Sequence, residues 1–225
     1  MSTGALAVLA VAYLLGSVPS AYLVGRWVKG IDLRQVGSGT LGSSNVYYHV
    51  GKFWLFVVGI FDMFGKGSGS VLLARALDQP LAVQAAAGLL AVVGHNWGVF
   101  LRLQGGRGVA PTVGVLLVLA RPELVLFIIT GTAGWRLTGS SPVWVLMGFI
   151  LMPLAALALG QPTAEAGLLA GLLAVTVVKR LTANSLRGTG IPLHTLLLNR
   201  LVFDRDIADH DAWVRRENAS EAPRG

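Results

Sequence analysis

Apolar residues along this chain fall into long runs separated by short polar connections. They dominate about residues 4–24, 53–76, 80–101, 109–120, 123–136, 141–160 and 163–179. A hydrocarbon layer ~30 Å thick is crossed by roughly 20 apolar helical residues. The pattern therefore predicts an all-α fold, a membrane bundle of about seven transmembrane helices. Residues 1–25 contain no Lys or Arg, so the first run lacks the basic start of a cleaved signal peptide and reads as a retained span. The runs 109–120 and 123–136 are each short for a crossing, with Arg121, Pro122 and Glu123 between them. They are either two short helices meeting at the outer face or one re-entrant element, which is tolerated only where protein or water covers its backbone. After Leu186 the pattern changes. Residues 191–203 are short and amphipathic, and from Asp204 charges of both signs crowd the chain. The expected division is a membrane domain over 1–190, then an amphipathic segment and charged cytoplasmic tail over 191–225.

Composition agrees with the membrane class. Hydrophobic residues make up 54% of the chain and charged residues only 13%, too few to cover a soluble surface. With no cysteine there is no disulfide framework, thiolate metal site or cysteine nucleophile. The formal charge of +7 suggests nucleic acid, but its distribution does not. Arg26, Lys29, Arg34 and Lys52 surround the first connection, Arg102 and Arg107 the third, Arg136 the fifth, and Lys179, Arg180 and Arg187 follow the last run. The alternate connections hold only Arg75 with Asp78, Arg121 with Glu123, and Glu165. By the positive-inside rule the N-terminus lies outside and the C-terminus in the cytoplasm. No basic block interleaved with aromatics appears, so no nucleic-acid partner is expected.

Three polar segments have chemical potential. In the first connection Gly37, Gly39 and Gly42 alternate with Ser38, Thr40, Ser43, Ser44 and Asn45. Such a segment is either a flexible connector or a nest of backbone N–H groups and hydroxyls around an anion. Asp32, Arg34 and Asn45 frame it, which favours a loop with structure to maintain. In the third connection Gly105, Gly106, Arg107 and Gly108 precede an apolar run, placing a cation and a glycine-rich turn at a helix N-terminus, a natural oxyanion or phosphate site. His95 lies nearby and is either a packing residue or a catalyst. In the second run Asp62 and Lys66 are four apart on one helical face, an expected ion pair facing the bundle interior. The four histidines are scattered and the acids are not spaced to join them, so no metal site is expected.

Taken together, these segments resemble the bacterial acyl-phosphate-dependent glycerol-3-phosphate acyltransferase family of the PlsY type. That family carries GSGNxGxxNxxRxxG, DxxKG and GHxxPxxxxFxGGKGVAxxxG. This chain has GSGTLGSSNVYYHVG at 37–51, DMFGKG at 62–67 and GHNWGVFLRLQGGRGVAPTVG at 94–114, preceded by LLGSVPSAYLVGR at 14–26. The resemblance covers about residues 1–188. It implies a multi-pass enzyme of the bacterial cell membrane with a cytoplasmic active site. The reaction it implies moves an acyl group from acyl phosphate to the 1-hydroxyl of glycerol 3-phosphate, giving lysophosphatidic acid and phosphate. Membrane lipid is then a further partner, and no cofactor, metal or acyl carrier protein is required. Ser38, Arg107 and His95 become the candidate catalytic residues. Gly37, Gly39, Thr40, Gly42, Asn45, Asp62, Lys66, Gly105, Gly106, Gly108 and Lys179 form the candidate substrate- and phosphate-binding set.

The chain also departs from the family pattern. Thr40 stands for the family Asn, Tyr48 for an Arg, and Arg107 for the GGKG lysine, exchanging a compact ammonium for a planar fork. The DxxKG motif has one extra residue, which turns Lys66 by about 100° unless the helix breaks locally. KRLT at 179–182 replaces HRxN, leaving Lys179 and Arg107 to compensate. Two other functions fit the pattern: a non-catalytic homologue that binds phosphorylated lipid precursors or regulates a partner enzyme, and a small anion transporter. An odd number of spans without an evident internal repeat counts against the transporter.

Overall fold

A computed structural model describes residues 2–36, 39–182 and 191–207, and every regular element among them is helical. Helix α1 (Thr3–Ser17) opens where the Ser2 hydroxyl accepts a bond from the Ala5 amide, and Pro19 separates it from α2 (Ser20–Lys29). After a loop comes α3 (Ser43–His49), a short helix inside what reads in the sequence as a glycine-rich connector. The next rod joins α4 (Lys52–Ile60), a π-helical stretch (Phe61–Ser68) and α5 (Gly69–Ala76). Then follow α6 (Leu81–Asn96), a 3-10 turn (Val99–Leu101), α7 (Val109–Leu119), α8 (Arg121–Thr138), α9 (Ser141–Ala158), α10 (Thr163–Thr182) and α11 (Leu193–Phe203).

Among the described residues four runs are long and apolar enough to cross a membrane: Thr3–Lys29, Lys52–Ala76, Leu81–Leu101 and Ser141–Ala158. Large apolar side chains such as Phe53, Phe56, Leu154 and Leu157 are exposed on their outer faces, as lipid contact requires. Inside, Phe127 and Phe149 meet edge to face at 5.1 Å, packed with Met152, Leu169 and Leu172 between α8, α9 and α10. Helices α1 and α6 approach closely through small residues. A Cβ on Gly16 would lie 2.1 Å from the Ala91 carbonyl oxygen, and one on Gly94 would lie 2.3 Å from that of Tyr13.

The ambiguous stretch 109–136 is two helices. They meet at buried Ala120, whose φ of −142° and ψ of 65° interrupt the helical path. Pro122 sits in the first turn of α8, where its missing N–H has no intrahelical partner to lose. At 11 residues α7 is about 16 Å long, so its ends depend on neighbouring protein. It leans on the π-helical stretch: Gly67 and Gly114 bring the two backbones together, and the Ser68 hydroxyl donates to the Gly114 carbonyl at 2.8 Å.

The amphipathic segment, described to residue 207, packs onto the bundle. Leu196 and Arg200 are each 1% exposed. Arg180 donates to the carbonyls of Leu201 (2.6 Å) and Pro142 (2.7 Å), tying α10 to α11 and α9. Arg200 donates to Asp206 at 2.6 Å and to the Leu181 carbonyl at 3.1 Å. A buried cation must find such acceptors, and in doing so it fixes the segment.

Candidate active site

The π-helical stretch sets the floor of the site. Each of its turns is wider than an α-turn by about one residue, so the extra residue between Asp62 and Lys66 is absorbed and the two still meet, at 2.7 Å. Ser20, the first residue of α2, donates to Asp62 at 2.6 Å and accepts from Lys66 at 3.1 Å. The His95 Nδ1 lies 3.4 Å from the Lys66 ammonium. The same nitrogen lies 3.8 Å from Asp62 Oδ2, so His95 Nδ1 faces both members of the buried pair. The Lys66 ammonium is thus surrounded by Asp62, Ser20 and His95.

His95 in turn meets the glycine turn. A Cβ on Gly106 would lie 2.3 Å from Nε2, and one on Gly105 would lie 2.1 Å from the His95 carbonyl oxygen. Gly108 has φ of 75°, a left-handed conformation that lets the turn pass directly into α7. Beneath it Asn96 is fully buried, and its amide atoms have no hydrogen-bond partner among the described residues. The first N–H groups of α7 emerge here with the positive end of the helix dipole.

The first loop is internally braced. Asn45, 2% exposed, donates to the carbonyls of Leu33 (2.7 Å), Thr40 (3.0 Å) and Val36 (3.1 Å). Its amide hydrogens are committed to the loop, so the residue read as a phosphate ligand acts as a staple. Arg34 pairs with Asp32 at 2.7 Å and reaches Gln104 at 3.3 Å, linking the first loop to the third. The Arg34 hydrogen bond holds the Asp32 carboxyl below the ordinary carboxylate range.

These pieces enclose a cavity of about 770 Å³. Thr40, Gly42, Asp62, His95, Arg107, Gly108, Asn45 and Lys179 from the sequence expectation all lie on its wall. Lys66 stands behind Asp62, Gly105 and Gly106 pack against His95, and Gly39 is exposed in a left-handed conformation with φ of 66°. Gly37 and Ser38 lie outside the described residues. Lys179 donates to the Asn96 carbonyl and sits 5.2 Å over the Trp97 ring. Arg107 pairs through Nε with Asp204 at 3.0 Å. Trp135, Pro142 and Val145 give one side of the cavity an apolar wall.

Four participants escaped sequence reasoning. Ser20 follows Pro19 in an apolar run, where nothing marks it out. Asn96 sits beside His95 with no spacing or motif to single it out. Arg180 was counted among the orienting charges, and nothing in the tail pattern singled out Asp204.

The sequence profile of the glycerol-3-phosphate acyltransferase family matches residues 6–188. A Dehalococcoides mccartyi (strain CBDB1) protein named glycerol-3-phosphate acyltransferase 4 is 36% identical over 215 residues, covering 92% of this chain and 92% of its own length. A glycerol-3-phosphate acyltransferase of Synechococcus sp. (strain CC9902) is 50% identical over 122 residues, covering 54% of this chain and 60% of its own. The crystal structure of PlsY, an integral membrane glycerol 3-phosphate acyltransferase in its glycerol 3-phosphate form, superposes with a TM-score of 0.72. That match has 27% identity and covers 79% of this chain and 88% of the other.

Proposed function

The chain belongs to the glycerol-3-phosphate acyltransferase family, and from that premise we propose that its cavity joins acyl phosphate to the 1-hydroxyl of glycerol 3-phosphate. The hydroxyl oxygen forms a bond to the acyl carbon, the acyl–phosphate oxygen bond breaks, and the hydroxyl proton leaves with the departing phosphate. The products are lysophosphatidic acid and inorganic phosphate.

One observation carries this assignment: Arg107, Lys179 and the N-terminus of α7 converge on one cavity that also has an apolar wall. Both substrates bear phosphate, which the cations and helix N-terminus suit, and the donor bears an acyl chain, which the wall of Trp135, Pro142 and Val145 suits. Because phosphate takes the proton, no side-chain triad is needed. The protein's contribution is alignment of the reactants and stabilisation of the tetrahedral oxyanion. His95 is held by Lys66 and Asp62 with Nε2 against the glycine turn, and it fixes the position of that turn.

The topology we propose has seven crossings, including the two short helices α7 and α8, with the N-terminus outside and the cavity at the cytoplasmic face. The segregation of basic residues supports it. The test is purified protein with palmitoyl phosphate and labelled glycerol 3-phosphate. Lysophosphatidate and orthophosphate should form together, and Arg107→Ala should abolish both. Absence of product from the unmodified protein, or full activity of Arg107→Ala, sinks the assignment.

A further inference from the structure

Arg107 is the cation most directly placed for phosphate, yet in this structure it already holds an anion. Its Nε lies 3.0 Å from Asp204 Oδ2, and Nη2 reaches the Asp204 carbonyl at 3.4 Å. The pairing is incomplete. Arg107 Nη1 and Asp204 Oδ1 are both buried without a hydrogen-bond partner among the described residues. A guanidinium and a carboxylate at their best form two parallel bonds. This pair forms one and leaves a buried donor and a buried acceptor unmet, an arrangement that costs stability. Phosphate has more acceptor oxygens than a carboxylate and a tetrahedral shape, so it meets more of the Arg107 donors than Asp204 does.

Asp204 comes from outside the residues that match the family profile, which end at 188. It caps α11 with φ of 56°, a conformation that Asp and Asn adopt more readily than other side-chain-bearing residues. Its backbone is fixed on both sides. Arg180 bonds the Leu201 and Val202 carbonyls before it, and Arg200 pairs with Asp206 after it. With the backbone held, release of Arg107 requires only a rotation of the Asp204 side chain. Burial pushes the Asp204 carboxyl up, although Arg107, Arg180 and Lys179 pull the other way.

We propose that Asp204 is a built-in competitor for phosphate: its carboxylate occupies Arg107 in the empty site and a phosphate monoester of the substrates displaces it by side-chain rotation. Asp204 is then a specificity-determining residue. Weak anions fail to displace it, and only a ligand with the charge and oxygen count of phosphate takes Arg107. The inference rests on the proposed role of Arg107 as a phosphate ligand.

Asp204→Asn tests it, because Asn keeps the shape and the left-handed backbone while removing the charge. If Asp204 occupies Arg107 in nine of ten empty molecules, removing the competitor strengthens apparent phosphate affinity about tenfold. Inorganic phosphate should therefore inhibit Asp204→Asn at lower concentration than the unmodified protein. Separate titrations of glycerol 3-phosphate and acyl phosphate identify the source, since only the substrate that uses Arg107 should show the lowered KM. Unchanged or raised KM for both substrates, with unchanged phosphate inhibition, overturns the competitor role and leaves the acyltransferase assignment standing. An unmodified protein that neither turns over nor binds phosphate removes the assignment itself. A second measurement needs no variant: carbodiimide labelling of Asp204, read by mass spectrometry, should speed up when phosphate is added. Labelling that slows or stays constant overturns the proposal.

Discussion

Gly106→Ala is the sharpest test of how the site is built. A Cβ at 106 would sit 2.3 Å from His95 Nε2 and 3.1 Å from each ring carbon beside it, where ordinary contact begins at 3.4 Å. Either the ring or the turn must therefore yield by roughly 1 Å. The ring has nowhere to retreat. Its Nδ1 is backed by the Lys66 ammonium at 3.4 Å, which is held in the buried Asp62 pair. The turn moves instead, carrying Arg107 and the first N–H groups of α7 with it. A misplacement of about 1 Å can cost on the order of 100-fold in rate, equivalent to about 2.7 kcal/mol of barrier. We expect kcat for lysophosphatidate formation to fall by about that factor, with size-exclusion profile and thermal midpoint showing a folded protein. Gly131→Ala, where an added Cβ meets nothing within 4 Å, is the control and should keep full activity. If Gly106→Ala stays folded and retains kcat within about threefold, the His95 contact does not position the turn and the account of the site is wrong.

Three further outcomes follow from the same contacts. Asp62→Asn strands the Lys66 charge at 1% exposure, and losing one partner of a buried pair costs about 3–5 kcal/mol. Thermal unfolding in detergent should show the loss, and adding Lys66→Met should recover most of it; an unchanged midpoint for Asp62→Asn alone refutes the pairing. Arg180→Met removes bonds to the Leu201, Val202 and Pro142 carbonyls. Local opening of α11 should become easier by roughly 2 kcal/mol, so amide exchange there should accelerate by about 30-fold, and unchanged exchange counts against the tie. Asp32 has its carboxyl lowered by Arg34, so its contribution is full above the ordinary value of 3.8 and is lost as pH falls through the lower folded value. The stability deficit of Asp32→Asn should therefore be constant from about pH 5 upward and shrink in acid. A deficit that instead grows in acid reverses the assigned sign.

The fold was legible wherever a property depends on one stretch of chain. Apolar runs gave the helices, and glycine clusters gave the turn at 105–108, because turn chemistry and burial leave local signatures. The break at Ala120 was ambiguous because Pro122 is equally at home in the first turn of a helix or in a re-entrant bend. The π-helical stretch was signalled only by a motif one residue too long. What settles it is the approach of α7 through Gly114, which local sequence does not contain. Ser20 and Asp204 were invisible for a related reason: a hydroxyl after a proline and a carboxylate in a charged tail look ordinary until the fold brings them to Lys66 and Arg107.

The positions where this chain departs from its family are also where these non-local groups enter. The wider π turn returns Lys66 to Asp62 despite the added residue. The segment beyond residue 188 brings a carboxylate to the arginine that stands for the family lysine. Charge on the cavity wall then decides what the site admits. Arg107, Lys179, Arg180 and Arg205 line it against Asp204, while Asp62 is neutralised by Lys66 behind it. Arg107, Lys179 and Arg180 are turned toward carbonyls or Asp204, but their charge remains on the cavity wall, where unit charges near a protein surface still interact over several ångströms. On the proposed function, a cavity with that excess favours a dianion over a neutral polyol. Phosphate would then anchor the substrate, and the glycerol hydroxyls would be positioned by it.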